Sequence, residues 1–460
     1  MRITGIKNGA LLQRGENDLS AVTLRASFEG LPRVSRGELI CIAEDTYHFT
    51  GLPVGGPYEV TFADDVSSVT FHDLYVGDLW LLAGQSNLEG AGRTTEEDAA
   101  YAASPLSTIR AFYMDDHWDA AVPILHRLSL SPDAAHRKAV EAHEESIKER
   151  KLTILDNPPN PPVRAVGPGL FFAKEMYRLT GVSQGVIPAA VGGAPIEMWL
   201  PPEEGVENYY TAALRRLRET GNNIRGVFWA QGEGNPHPEI YPAQIETIRR
   251  DLQNQLGMDS LLPFVQMQSC RLTLDFSTGT SFVWSNFREM QRKMPLSAEK
   301  LATIATNDLE LDDCIHISSD SHKLAGVRAA NAMHRLITGE GLPEPDLDII
   351  FTTPDTCVPD AVTALHIRCK NVSGALTSAG APFGFTIGKK DSGEEPTMYR
   401  FQRILLSGDE VIIRIELSRA ELRDYALWYG FGNQYYCNIT DASGRAIPSM
   451  GPIDLAEYIE

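Results

Sequence analysis

The sequence predicts an α/β protein. Its core is a parallel sheet of about five strands covered by helices on both faces, a three-layer α/β/α arrangement flanked by N- and C-terminal β-rich domains. Three observations lead there. Between about residues 75 and 342, strand-like runs that are apolar throughout alternate with helix-length amphipathic stretches, as in parallel sheets with helical crossovers. On either side, short segments with β signals return, many alternating with period two between Gly and Pro breaks, as antiparallel strands do. The chain's 460 residues, 43% hydrophobic and 22% charged, suffice for two to three domains with sizeable cores.

Residues 1–74 read as a small antiparallel β domain, with strand segments at 22–26, 47–49 and 58–62 broken by Gly51-Leu52-Pro53 and Gly55-Gly56-Pro57. In the core, 75–342, the apolar runs are 79–83, 185–189, 227–230, 264–267 and 303–306. Helices are expected at 169–180 (closed by Gly181), 206–219, 240–256, 281–293 and 320–337. A charged helical stretch at 132–152 and the proline-rich 157–162 form an insertion around 115–165, after the first core strand. Runs at 364–369 and 411–415 mark a C-terminal β domain, 343–460.

Net charge is −20, from 41 Lys and Arg against 61 Asp and Glu, which repels nucleic-acid phosphates and anionic lipid; neither is an expected partner. No run approaches the roughly 20 apolar residues that span a bilayer. Met1-Arg2-Ile3-Thr4-Gly5 lacks the apolar stretch of a signal peptide, so the cytoplasm is the default compartment, with a secreted origin and trimmed signal left open. The six cysteines contain no CxxC pair and read as reduced, mostly buried thiols. No HExxH or zinc-type Cys/His spacing occurs, and neither metal nor cofactor is expected.

Four segments carry candidate chemistry. Ala83-Gly84-Gln85-Ser86-Asn87-Leu88-Glu89-Gly90 follows an apolar run directly. A nucleophilic serine must leave the sheet on a tight turn, so that its hydroxyl is exposed and a backbone N–H can meet an oxyanion. The spacing is Gly-x-Ser-x-x-x-Gly, not the Gly-x-Ser-x-Gly of the α/β-hydrolase elbow, and such a turn also serves to start a helix. Asp312-Asp313-Cys314-Ile315-His316 places a carboxylate three residues before an imidazole, enough to orient a general base from one loop; His237 is the rival base. Gly192-Gly193 exposes consecutive N–H groups suited to an oxyanion hole. In Trp229-Ala230-Gln231-Gly232-Glu233-Gly234-Asn235, Gln231 can supply a further donor and Glu233 can brace it. All four fall at predicted carboxyl ends of strands, where open α/β sheets place their sites.

Taken together and in order, Val76-Gly77-Asp78-Leu79-Trp80, Gly84-Gln85-Ser86-Asn87, Gly192-Gly193-Ala194-Pro195-Ile196-Glu197-Met198-Trp199, Trp229-Ala230-Gln231-Gly232-Glu233 and Asp313-Cys314-Ile315-His316 resemble the SGNH (GDSL-like) hydrolases, in their sialate O-acetylesterase and acetylxylan-esterase branch. The likeness extends to Leu52-Pro53-Val54-Gly55-Gly56-Pro57-Tyr58 and Tyr429-Gly430-Phe431-Gly432-Asn433, and so covers nearly the whole chain. It implies Ser86 as nucleophile, His316 as base and Asp313 as its orienting acid. It also implies an oxyanion hole of the Ser86 N–H, a glycine N–H from Gly192-Gly193, with Gly193 favoured, and the Gln231 side chain. The implied reaction removes O-acetyl groups from a carbohydrate, sialic acid or an acetylated polysaccharide or oligosaccharide, through an acyl-enzyme. The alternatives are a catalytically silent carbohydrate-binding protein on this scaffold, and an esterase of small non-sugar esters. Gly192, Glu233, Asn235 and Arg271 are substrate-binding candidates, Arg271 for a sugar carboxylate. Trp118 and Trp199 are candidates for sugar stacking or core packing. Leu88, Ala194, Gly234 and Ile317 depart from the family's usual Met, Thr, Ser and Pro; none removes a catalytic group.

Overall fold

The strand Ser68–Gly84 changes character halfway along its 17 residues. Its first part is largely exposed and pairs antiparallel with Gly55–Ala63, Phe62 facing Val69. From Leu74 to Gly84 every residue is buried, and this half runs parallel to Leu11–Gln13, Ser183–Pro188 and Gly226–Ala230. A strand flanked on both edges and covered on both faces has no solvent side, which is why it reads as one apolar run. Two of its polar side chains are satisfied from a distance. Asp78 accepts a bidentate pair from Arg14 at 2.8 and 2.9 Å, and the Trp80 indole donates to Gln184 at 2.7 Å. At Gly77 a Cβ would stand 2.0 Å from the Ser183 carbonyl oxygen, so no side chain fits.

The computed structural model describes residues 1–149, 164–273, 278–354, 361–390, 392–398, 400–433 and 436–459. The chain divides into two compact units. The first comprises Met1–Gly234, Ala243–Phe264 and Ser318–Asn331. Its strand order is Trp118–Ala120, Ile109–Phe112, Ser183–Pro188, Ser68–Gly84, Gly226–Ala230; the outermost pair is antiparallel and the rest parallel. A separate antiparallel sheet has the order Arg2–Thr4, Leu19–Ser27, Thr46–Pro53, Glu38–Ala43, with Val22, Leu24 and Ala26 buried in alternation. Helix Gly169–Thr180 ends on Gly181 at φ 68°, a left-handed cap that glycine adopts without penalty. Helix Tyr209–Glu219 starts from Asn208, whose side chain accepts from the Thr211 N–H.

The second unit comprises Asn235–Pro242, Val265–Ile317 and Ala332–Glu460. Phe264–Met267 and Leu301–Ile304 are sheet neighbours. An antiparallel sheet of order Asp346–Pro354, Thr363–Lys370, Glu410–Ile415, Phe401–Ser407 and a three-stranded one of order Phe385–Lys389, Tyr425–Tyr429, Met450–Asp454 share one core, in which Leu365, Ile367, Ile413, Leu427 and Tyr429 are 0% exposed.

The expected core helices form at Gly169–Thr180, Tyr209–Glu219, Tyr241–Leu256, Thr278–Lys293 and Ser319–Thr338. The charged stretch forms helix Ala134–Glu149, while the expected loop at 157–162 lies outside the described residues. Ile109–Phe112 and Trp118–Ala120 are strands the sequence reading did not anticipate. The molecule is a mixed α/β protein, and no helix among the described residues is long and apolar enough to cross a membrane.

Candidate active site

Three parallel strands of the first unit end at one edge, and each is followed by a predicted site segment. Ser68–Gly84 leads into Ser86, Ser183–Pro188 into Gly192-Gly193, and Gly226–Ala230 into Gln231. The serine turn is forced by close backbone contact. Gly84 sits at φ 130°, and a Cβ there would fall 2.0 Å from the Ala230 oxygen. The Gln85 N–H then donates to that same oxygen at 2.7 Å. Gln85 is extended, and the chain coils at once into the single turn Ser86–Glu89, closed by the Gly90 N–H on the Ser86 carbonyl at 2.9 Å. Asn87 and Leu88 point into the core, leaving Ser86 only half-buried.

The glycine pair approaches from the neighbouring strand. The Val191 N–H donates to the Gly84 carbonyl at 3.1 Å, and the Ala194 N–H closes the turn on Val191 at 3.1 Å. A Cβ on Gly192 would lie 3.7 Å from the Ser86 Cβ, which measures how near the two segments come. The Gly192 N–H is engaged by the Glu89 carboxyl. Gly193 is at φ 69° with nothing within 4 Å of a Cβ position, and its N–H meets no acceptor among the described residues. Burial pushes the Glu89 carboxyl up to about 7, with the Gly192 N–H acting in the opposite sense.

The third segment is knitted to the serine turn by side chains. Glu233 accepts from the Gln85 amide at 2.7 Å and from Asn87 at 3.4 Å, and the Gly232 N–H reaches the Gln85 side-chain oxygen Oε1 at 3.4 Å. The Gln231 amide donates to the Ala194 carbonyl at 3.3 Å, which fixes it beside the glycine turn. Glu233 thus fastens the residues on either side of Ser86, a role the sequence did not suggest, and the serine motif by itself assigned no role to Gln85, Asn87 or Glu89. The signal for Glu89 was its place three residues after Ser86, one helical turn on.

Asp313 and His316 lie in the second unit, on one loop. The His316 Nδ1 is 2.8 Å from Asp313 Oδ2 and 3.0 Å from Oδ1. The Ile315 and His316 N–H groups also donate to Asp313 Oδ1, at 2.9 and 2.8 Å. Partial burial opposes the charge of Asp313, yet the ring and these N–H groups together hold its carboxyl well below the usual carboxylate range. A charged carboxylate only accepts, so the proton resides on Nδ1 and Nε2 is left as the basic nitrogen. The loop is braced from within its unit: the Thr273 N–H donates to the Cys314 carbonyl at 2.8 Å, and the Cys270 thiol contacts the Ile315 carbonyl at 3.0 Å. Arg288, 1% exposed, donates to the Ser269, Cys270 and Gly432 carbonyls at 2.7–2.9 Å, tying that brace to the Gly430–Asn433 turn.

Arg271, also in the second unit, stacks on Tyr436 with its guanidinium carbon 5.1 Å from the ring centroid. Asn235 and His237 are in the same unit, in the loop before helix Tyr241–Leu256, with His237 exposed. Trp199 is 1% exposed against Trp229 and Tyr209, and Trp118 is 6% exposed against Phe112, so both tryptophans pack the core of the first unit.

A serine on a tight turn at the carboxyl edge of parallel strands, beside glycine N–H groups and a fixed amide, is the ground plan on which serine hydrolases are built. The chain belongs to the family described as carbohydrate esterase, sialic acid-specific acetylesterase, whose model matches residues 76–335, more than half of its length. Two curated relatives, the sialate O-acetylesterases of Pongo abelii and Homo sapiens, are each 26% identical over 271 residues, 49% of this chain and 46% of theirs. The chain therefore spans about half the length of the curated relatives it matches. A crystal structure of a carbohydrate acetylesterase from Xanthomonas citri superposes with a TM-score of 0.71 at 22% identity, covering 97% of this chain and 98% of its own, which shows a shared fold.

Proposed function

We propose that this protein removes O-acetyl groups from a carbohydrate through a covalent acyl-enzyme on Ser86, in a core of the three-layer α/β/α type. The observation that carries the reading is the arrival of Ser86, Gly192-Gly193 and Gln231 at one edge of three parallel strands. In this mechanism Ser86 Oγ attacks the acetyl carbonyl while its proton passes to His316 Nε2, with Asp313 holding the Nδ1–H. The carbonyl oxygen becomes an oxyanion between the Ser86 N–H, the Gly193 N–H and the Gln231 amide. Its collapse expels the sugar oxygen, which takes the proton from His316. Water then repeats the attack on the acyl-enzyme, giving acetate and restoring the Ser86 hydroxyl.

Gly193 is preferred over Gly192 as donor because the Gly192 N–H is already bonded to Glu89. The hold of Asp313 on the His316 ring, with Nδ1 2.8 Å from Oδ2, supports His316 as the base. Sialic acid and acetylated polysaccharides are the substrates to compare. The test is acetate release from O-acetyl sialic acid and from acetylated xylan by the wild type and Ser86→Ala. Turnover must vanish in the variant on whichever substrate the wild type accepts; persistent acetate release there would falsify the assignment.

A further inference from the structure

Glu89 has no part in the chemistry just described, yet its carboxyl lies beside the nucleophile. It sits one helical turn after Ser86, anchored by its own N–H on the Gln85 carbonyl at 3.0 Å. Its Oε2 accepts the Gly192 N–H, and a Cβ on Gly192 would stand 2.9 Å from that oxygen and 3.7 Å from the Ser86 Cβ. One short helix thus carries both the attacking hydroxyl and the acceptor that grips the glycine turn.

We infer that Glu89 is a positioning residue that locks the Gly192-Gly193 turn to the serine helix, so that the Gly193 N–H is aimed at the oxyanion. This rests on the acyl-enzyme reading above. The physical reason is rigidity. Gly192 and Gly193 have no side chains to hold the turn, and Gly193 adopts φ 69° with open space where a side chain would stand. A donor aimed at a developing charge helps only if it is held in place before the reaction. Taking up the Gly192 N–H also removes a second donor that would otherwise let the turn bind the oxyanion in an alternative pose. Burial raises this carboxyl to about 7, so below neutrality it is mostly uncharged and sets less negative charge beside the oxyanion than an ordinary glutamate would.

The test compares Glu89→Met, which keeps side-chain length but loses the acceptor, with Glu89→Gln, which retains a carbonyl oxygen, and with Ser86→Ala. Steady-state hydrolysis of p-nitrophenyl acetate is measured with folding checked by circular dichroism. Glu89→Met is expected to lose about 10²-fold in kcat with KM nearly unchanged, since a displaced donor harms the transition state and not ground-state binding. Glu89→Gln is expected to recover most of that loss. If Glu89→Met does not fold, Glu89→Ala leaves the same donor unpaired and carries the same expectation. A folded Glu89→Met or Glu89→Ala with wild-type kcat, or a folded Glu89→Gln as impaired as they are, overturns the role of Glu89. Activity surviving in Ser86→Ala would instead overturn the esterase reading beneath it.

Discussion

His316 Nδ1 stands 2.8 Å from Asp313 Oδ2, and the two residues reach this contact within one loop, three positions apart. The pair is assembled locally, and Asp313 is further fixed by two backbone N–H groups. Asp313→Asn keeps the shape but presents an amide to Nδ1 and favours the wrong tautomer. It is expected to lower kcat by roughly 10²–10⁴-fold with little change in thermal stability. Kinetics with p-nitrophenyl acetate check this, and a near-normal kcat would show that another group orients the imidazole.

Gln231 is held beside the glycine turn through Ala194. As an oxyanion donor it acts in the transition state, so Gln231→Ala should reduce kcat by about 10²–10³-fold, roughly 3–4 kcal/mol, while KM stays close to wild type. A variant that raises KM and spares kcat would make Gln231 a substrate-binding group instead.

Two buried histidines make stability depend on pH. Burial first, and then the nearby Arg216, hold His126 down to about 3. Burial likewise lowers His136 to about 4, with Asp133 opposing and Arg216 and Arg215 reinforcing. In the unfolded chain both titrate near 6.5, so between these values the unfolded state binds more protons and stability rises with pH. Their contribution is complete above about 6.5 and drains away as pH falls toward about 4 for His136 and about 3 for His126, at no more than about 1.4 kcal/mol per pH unit for each group. Melting temperatures of wild type and His126→Leu across this range give the check: the variant should show the shallower dependence, and parallel curves would remove His126 from the explanation.

Gly84→Ala puts a methyl group 2.0 Å from the Ala230 oxygen at a φ of 130°, and backbone cannot step aside as a flexible side chain can. We expect a loss of more than about 2 kcal/mol in stability, read from urea unfolding, together with loss of activity because Ser86 is carried on this turn. A variant as stable as wild type would mean the strands can separate at this edge.

Arg288→Met takes the buried guanidinium away from the Ser269, Cys270 and Gly432 carbonyls, with Cys270 keeping the Trp284 indole N–H at 3.2 Å. The expected cost is about 3 kcal/mol or more, and the Asp313–His316 loop loses its indirect brace. Urea unfolding should register the loss even where activity is measured well below the transition, and an unchanged midpoint would place the bracing elsewhere.

The regular core was legible because its signals are short-range. The apolar runs at 227–230 and 264–267 and the helices at 169–180 and 240–256 depend on periodicity within a dozen residues, and each forms within a few positions of its expected bounds. Ile109–Phe112 escaped notice because Arg110 interrupts the apolar pattern. In the folded chain that arginine is 8% exposed, lies over Tyr75 and donates to the Gly9 carbonyl at 3.0 Å, a partner 101 positions away. Trp118 was undecided for the same reason: its contact with Phe112 exists only once the edge strand pairs.

The sequence by itself determined the mixed α/β class, the glycine that makes the serine turn and the three-residue spacing that joins Asp313 to His316. All of these are written in neighbouring residues, through backbone sterics and period. The tertiary structure alone decided how each N–H and carboxyl is spent. Glu89 grips Gly192 from 103 positions away, and Glu233 fastens Gln85 from 148. Such pairings arise when parallel strands bring distant turns to one edge, and nothing in the local chain encodes which buried carboxyl will meet which donor.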